Sequence, residues 1–93
     1  MKKLQVELFG SARRLAQMKE VQIEVGEAAT FRDVIVTLAQ RFPAFVGHVI
    51  SPEADSLIEP YFFNVDARRV VRDLNEIPEE SKPLLLLFVD AGG

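Results

Sequence analysis

The sequence predicts a small α+β domain in which one main helix packs on a single mixed sheet of four to five strands. Three observations indicate this class. Polar and apolar residues alternate in two segments near the start of the chain, one amphipathic helix follows them, and a continuous apolar run lies close to the end. The predicted order of strand, strand, helix, strand or strands, and strand leaves one helix to cover one sheet.

The first two strands are predicted from alternation. In residues 3–9 every second side chain is apolar, beginning with Leu4, and residues 21–25 repeat the pattern from Val21. Between them, residues 12–19 suit a short helical turn, with Ser11 as its N-cap. Since the two strands are close in the chain, we expect an antiparallel hairpin with a long connection.

The main helix is predicted to begin at Thr30. Threonine is a good N-cap, and Asp33 stands three residues on, where a capping box places its acidic partner. The following apolar side chains lie on one face at helical spacing: Phe31, Val34, Ile35, Leu38 and Phe42. Pro43 ends the helix, because the residue before a proline is driven out of the helical conformation.

The second half of the chain is less regular. Residues 44–59 are predicted to form a loose region with Phe45, Val49 and Ile50 tucked beneath it. Residues 61–65 read as a third strand, and residues 67–73 either continue it or form a short partner. A polar, turn-like stretch over 75–82 leads to Pro83, which opens the last strand.

Composition excludes several classes of function. The chain has 93 residues, enough for one domain, and its net charge of −3 argues against nucleic acid as a partner. With no cysteine it has no disulfide or thiolate chemistry, which fits a cytoplasmic protein. The sequence has no apolar run of the roughly 18 residues that a membrane span needs. We therefore expect a cytoplasmic protein with no membrane partner and no metal or cofactor of its own.

Polar residues do not combine into a catalytic set. His48 is the single histidine and is expected in a loop, and the glutamates of residues 76–80 are expected in a solvated loop. The arginine pairs at 13–14 and 68–69 could each hold an anion, but such pairs are common on surfaces.

The last strand runs into a tail. Its side chains alternate between faces, so one of two sets must point away from the single helix: Leu84, Leu86 and Phe88, or Leu85, Leu87 and Val89. We expect residues 1–89 to form the domain and 90–93 a flexible tail that ends in two glycines. Extended, the tail reaches roughly 13 Å, far enough to place a carboxylate in another protein's active site. A frayed terminus or a cloning scar would give the same ending.

These features resemble the MoaD/ThiS family of ubiquitin-like sulfur carriers, most of all its MoaD-type members. Residues 9–15, Phe-Gly-Ser-Ala-Arg-Arg-Leu, are similar to the family's Phe-Ala-x-x-Arg-Glu-Leu stretch, with Arg14 where Glu is usual. Residues 63–68 are similar to its Val-Asn-Gly hairpin, with Asp66-Ala67 in place of the Gly. The helix from Thr30 to Pro43 and the diglycine end also match, so the resemblance covers nearly the whole chain.

The resemblance implies a β-grasp fold and a carrier role. A MoeB/ThiF-like enzyme would use ATP to adenylate Gly93, which would then become a thiocarboxylate, with Gly92 giving clearance. The chain would supply sulfur for molybdenum or tungsten cofactor synthesis as the small subunit of molybdopterin synthase, catalytic only with a MoaE-like large subunit. Leu84 and Leu86 would face the core. The implied partner contacts are Arg13, Leu85, Leu87, Phe88, Val89, Asp90 and Ala91.

Other functions fit the same residues. The chain could be a protein modifier joined through Gly93 to lysines, or a carrier for another pathway such as thiamine or cysteine synthesis. It could also be a β-grasp interaction module whose two glycines are accidental.

Overall fold

One mixed sheet of five strands and one main helix make up the fold. The computed structural model describes residues 1–89. The strands are β1 (Lys2–Leu8), β2 (Glu20–Val25), β3 (Tyr61–Val65), β4 (Arg69–Val70) and β5 (Leu84–Phe88). The helices are α1 (Ser11–Ala16) and α2 (Phe31–Arg41), and a 3-10 turn spans Pro43–Phe45. The predicted α+β class is confirmed.

The last strand lies in the middle of the sheet, whose order is β2-β1-β5-β3-β4. Strands β1 and β2 form the predicted antiparallel hairpin. Strand β5 runs parallel to β1, with Leu84 opposite Val6, and antiparallel to β3. Because β1 and β5 are parallel, their carboxyl ends lie at the same edge of the sheet. The chain after Phe88 therefore starts beside the residues that follow Leu8.

The main helix begins and ends as predicted. Thr30 Oγ1 accepts a hydrogen bond from the Asp33 amide (3.3 Å), and the Asp33 carboxylate accepts one from the Thr30 amide (2.9 Å), which completes a capping box. Phe42 is the C-cap, and its amide bonds to the Leu38 carbonyl. The helix thus stops just before Pro43, which cannot extend it.

The core fills the space between α2 and one face of the sheet. Phe31 of α2 and Phe63 of β3 meet there with ring centroids 5.6 Å apart. The side chains with no exposed surface include those of Leu4, Val6, Leu8, Val34, Ile35, Leu38, Leu84 and Leu86. Burying each such side chain stabilises the fold by about 1.5–3 kcal/mol. Phe45, Val49 and Ile50 are also fully buried, as predicted for the loose region.

The structure corrects the prediction around α1. Ser11 is not the N-cap: α1 begins at Ser11 and its N-cap is Gly10, which has no side chain to form a cap. The Ser11 hydroxyl instead accepts a hydrogen bond from Arg14 at 2.7 Å. The helix ends at Ala16 instead of reaching residue 19, because Gln17 takes a left-handed conformation with φ of 58°.

The structure also decides between the two readings of residues 67–73. These residues contribute β4, a two-residue antiparallel partner of β3, and do not continue β3. Asp66 and Ala67 form the turn with φ values of 57° and 59°. Two positive φ angles are typical of type I′ hairpin turns, which favour Asn, Asp and Gly. Ala67 adopts a conformation that is costly for a residue with a Cβ.

Candidate functional site

Strand β5 separates identical side chains onto two faces. Leu84 and Leu86 are fully buried under α2, whereas Leu85 and Leu87 are half-buried and point to the opposite face of the sheet. Parity in the sequence left the two sets interchangeable, and the position of α2 assigns them. The orientation is the one that the family resemblance implied.

An apolar surface forms around the outward leucines. In the strand register Phe62 lies opposite Leu87, Asn64 opposite Leu85, and Val70 opposite Asn64, so these side chains share one face. Phe62 is half-buried and Val70 is exposed. We call Phe62, Val70, Leu85 and Leu87 the outer patch. An apolar patch that the described domain leaves uncovered is typical of a surface for another protein.

The other half of this sheet face is polar, which sets a border to the outer patch. On the β1–β2 hairpin Lys3 lies opposite Glu24, Gln5 opposite Gln22, and Glu7 opposite Glu20. Glu7 is also level with Leu85 in the β1–β5 register. Apart from Asn64, the sheet face is therefore apolar over β5, β3 and β4, and it is hydrophilic over β1 and β2.

Asn64 is an unsatisfied polar group beside the outer patch. Its side-chain oxygen Oδ1 is buried and accepts no hydrogen bond from the described residues. A buried acceptor without a donor costs about 1–3 kcal/mol. Asn64 lies between Leu85 and Val70 in the strand register, so the unsatisfied oxygen adjoins the outer patch.

The base of the tail is anchored by aromatic packing. The Phe88 ring lies 5.5 Å from the Tyr61 ring and covers Gly10 so closely that a Cβ there would come within 2.3 Å of Phe88 Cε1. Gly10 also has φ of 61°, a conformation that glycine adopts without strain. The Tyr61 hydroxyl accepts a hydrogen bond from the Ala12 amide (3.2 Å) and donates one to the Phe9 carbonyl (3.4 Å). These contacts fix the direction in which β5 ends.

Two arginines lie next to this base. Arg13 donates from Nε to the Leu8 carbonyl at 2.9 Å, and its guanidinium lies 5.0 Å from the centre of the Phe9 ring. Arg14 bonds through its guanidinium to Ser11. A groove of about 470 Å³ runs between them and the aromatic anchor; we call it the tail-base groove. Its lining residues are Gly10, Ser11, Arg13, Arg14, Pro60, Tyr61 and Phe88.

The structure describes five of the predicted site residues. Leu85 and Leu87 lie in the outer patch, Arg13 and Phe88 line the tail-base groove, and Val89 is 59% exposed. Asp90, Ala91, Gly92 and Gly93 lie outside the described residues. Whether any of these residues contacts a partner stays a prediction.

Sequence reasoning missed some residues of this region. Phe62 had a signal, because alternation with buried Phe63 places it on the outer face. Val70 and Gly10 had no comparable signal, since each depends on a contact or register between segments distant in the chain.

The other polar candidates form no site. His48 is an exposed turn residue. Glu76 pairs with Arg69 at 2.9 Å, Glu79 with Lys82 at 3.5 Å, and Glu80 accepts a bond from the Lys3 amide. Within residues 1–89 no group of three or more His, Cys, Asp or Glu side chains is arranged to hold a metal ion. No helix in the same part of the chain has the length and apolar character that a membrane crossing requires.

A five-stranded mixed sheet on one helix, with a central last strand and an uncovered apolar face, defines a ubiquitin-like β-grasp protein. Solved structures agree. Small archaeal modifier protein 1 from Haloferax volcanii superposes with a TM-score of 0.81 at 21% identity, over 98% of this chain and 99% of that one. The same-named protein from Methanosarcina acetivorans gives 0.78 at 21% identity, over 100% and 98%.

A third solved structure has a similar fold. A provisionally named molybdopterin converting factor, subunit 1, from Pyrococcus furiosus has a TM-score of 0.72 at 26% identity, over 92% of this chain and 95% of that one. These neighbours confirm the predicted resemblance: the chain has the ubiquitin-like fold of the MoaD/ThiS family. No family model matches the sequence, and comparison with curated proteins found no relative.

Proposed function

We propose that this protein is a sulfur carrier whose Gly93 carboxyl group is activated by an ATP-dependent adenylating enzyme of the MoeB/ThiF type. One observation carries the proposal: the central strand β5 lines the uncovered outer patch and leads directly into the tail. An enzyme that docks on Leu85 and Leu87 is thereby positioned to receive Gly93. The tail's reach of roughly 13 Å suits an active site set back from the docking surface.

The carrier supplies only its terminal carboxyl group to the reaction. Attack of the carboxylate oxygen on the α-phosphate of ATP gives an acyl-adenylate and releases pyrophosphate. A sulfur donor then displaces AMP and leaves a thiocarboxylate at Gly93. With no cysteine in the chain, the terminal carboxyl group is the group suited to hold this sulfur. The catalytic groups belong to the activating enzyme, as the lack of a catalytic set in the sequence indicates.

Molybdopterin synthesis is the proposed destination of the sulfur. The P. furiosus neighbour, named as a molybdopterin converting factor subunit, favours it. In that pathway the chain would bind a MoaE-like large subunit through the surface that it uses for the activating enzyme. The two partners would then compete, so the carrier would alternate between them.

Protein modification is the second candidate. It is favoured by the two small archaeal modifier proteins among the structural neighbours. Conjugation begins with the same adenylate and differs in the acceptor, which is a lysine amine instead of a sulfur donor. The fold serves either acceptor, so the product has to be identified chemically.

The test combines an assay with a mass measurement. ATP–pyrophosphate exchange is measured with the adenylating enzyme of the source organism and this protein, a Gly93→Ala variant, and variants with one residue added after Gly93 or before Met1. We expect exchange with the natural chain and the N-terminal extension, loss in the other two, and nearly equal melting temperatures. Full exchange by Gly93→Ala would contradict the proposal.

The mass of the protein purified from its source separates the two candidates. Replacement of one oxygen by sulfur at Gly93 indicates a carrier, whereas isopeptide-linked lysines on other proteins indicate a modifier. The same spectrum shows whether the mature chain ends at Gly93.

A further inference from the structure

We propose that the tail-base groove takes an acidic side chain, flanked by an apolar one, from the enzyme that activates the tail. The inference rests on the proposed function and adds a second contact to it, distinct from the outer patch. It assigns a role to Arg14, which was not among the predicted partner contacts.

The groove has the composition of a binding pocket for a mixed group. Its apolar lining residues are Gly10, Pro60, Tyr61 and Phe88, and the two arginines also line it. Phe88 is 42% exposed although its ring is held by Tyr61 and Gly10, so the apolar surface is both accessible and fixed in position. An ordered aromatic surface next to a cation suits an apolar group and a carboxylate side by side.

The two arginines at the groove favour binding of an anion. Neither Arg13 nor Arg14 pairs with a carboxylate of residues 1–89 within 4.0 Å. Each arginine also borders one further groove, but Arg13 is partly committed, because its Nε donates a hydrogen bond to the Leu8 carbonyl. Arg14 bonds to one neutral hydroxyl, and its side chain is exposed. Arg14 is therefore the guanidinium better placed to form a bidentate bond with an incoming carboxylate.

The length of chain between the groove and Gly93 favours a protein side chain over the nucleotide as this anion. The groove is lined by Phe88, and the four residues after Val89 would span roughly 13 Å if they were fully extended. The phosphates of ATP have to meet Gly93, which puts them beyond the reach of Arg14 when the tail is extended. A carboxylate on the docking surface of the enzyme faces no such limit.

The test uses exchange kinetics of the full chain with the adenylating enzyme of the source organism. We compare the natural protein with Arg14→Gln, Arg14→Lys and the control Arg68→Gln. Arg68 lies beside the β3–β4 turn at the opposite end of β3 from Tyr61, and 86% of its side chain is exposed, so Arg68→Gln makes the same charge change away from the groove. Arg13 is left intact because it supports the loop after β1.

We expect Arg14→Gln to raise KM for the carrier about 3-fold at low salt, as for an exposed charge pair, with kcat and KM for ATP unchanged. Arg14→Lys should recover part of the loss, since it keeps the charge but not the bidentate geometry. Arg68→Gln should match the natural protein. The rise of KM with salt should be shallower for Arg14→Gln, because one ion pair fewer is screened.

Cross-linking identifies the occupant. The chain has no cysteine, so Ser11→Cys creates a single attachment point for a short photo-cross-linker at the groove. We expect a cross-linked enzyme peptide that contains Asp or Glu beside an apolar residue. A peptide without an acidic residue, or a cross-link to a second copy of this chain, would overturn the inference.

The kinetic outcomes keep the two proposals apart. If the natural protein supports no exchange, the proposed function fails, and the groove proposal fails with it. If the natural protein is active but Arg14→Gln behaves like Arg68→Gln, only the groove proposal fails. A change in KM for ATP would assign the anion to the nucleotide and also overturn it.

Discussion

Both faces of strand β5 carry leucines, but the leucines on one face are buried and those on the other are partly exposed. Leu84 and Leu86 face α2 and have no exposed surface, whereas Leu85 and Leu87 face away from it and remain half-buried in the outer patch. The inner pair can be explained by stability alone. The outer pair lies in the patch that the proposed docking would use, and α2 covers only the other face of the sheet.

The two faces of the neighbouring strand β3 also differ. Inward from β3, Phe63 packs on Phe31, and outward from β3, Asn64 leaves a buried oxygen without a donor. The inner face is thus packed ring against ring, whereas the outer face contains a buried oxygen without a hydrogen-bond donor. Selection for stability alone would remove such a group. Functional sites are the places where such local inconsistencies are expected.

Leu86→Ala should have the largest effect and should act on stability. Removing a fully buried leucine costs about 2–5 kcal/mol in free energy of unfolding, through lost burial and the cavity left behind. Urea denaturation measures it, with Leu85→Ala as the matched control one residue along the strand. Equal losses in the two variants would break the distinction between the faces.

Leu87→Glu should act on docking instead. A charge placed in the outer patch should raise KM for the carrier in pyrophosphate exchange by about 10-fold or more, because one buried contact at an interface centre carries that much. We expect the free energy of unfolding to change by less than about 1 kcal/mol. Gln22→Glu adds the same charge to the polar half of the same sheet face and should leave KM near normal. An unchanged KM for Leu87→Glu would show that the outer patch is not the docking surface.

Asn64→Leu should have the smallest effect, and it should raise the free energy of unfolding where Leu86→Ala lowers it. Leucine has a similar shape and removes the unsatisfied oxygen, so the free energy of unfolding should rise by about 1 kcal/mol. Thermal or urea denaturation checks this, and Asn75→Leu in an exposed loop should give no gain. A loss of stability would mean that the Asn64 oxygen is satisfied in solution, for instance by water.

Local signals in the sequence were enough for most of the fold. The capping box at Thr30, the stop at Pro43 and the alternation in β1 and β2 each depend on residues a few positions apart, and each was predicted. The prediction erred at Ser11, which has the side chain of an N-cap but follows a glycine that takes the cap position. Capping preference sets a tendency, and the backbone path set by Gly10 overrides it.

The candidate site was partly predictable. The outward leucines, Phe88 and Arg13 could be named from alternation and from a family resemblance. The tail-base groove could not, because Gly10 and Phe88 are far apart in sequence and meet only when β5 inserts beside β1. Arg14 could be noted from the sequence as half of an arginine pair able to hold an anion, and the groove distinguishes that pair from the one at 68–69.

The sequence by itself determined the class of fold, the main helix and the alternating pattern of the last strand, because these follow from short-range spacing and residue type. The tertiary structure decided which leucines face out, that β5 lies at the centre of the sheet, and that Gly10, Arg14 and Phe88 share a groove. Strand alternation repeats every two residues and is symmetric between faces, so only the packing of α2 on one side breaks that symmetry.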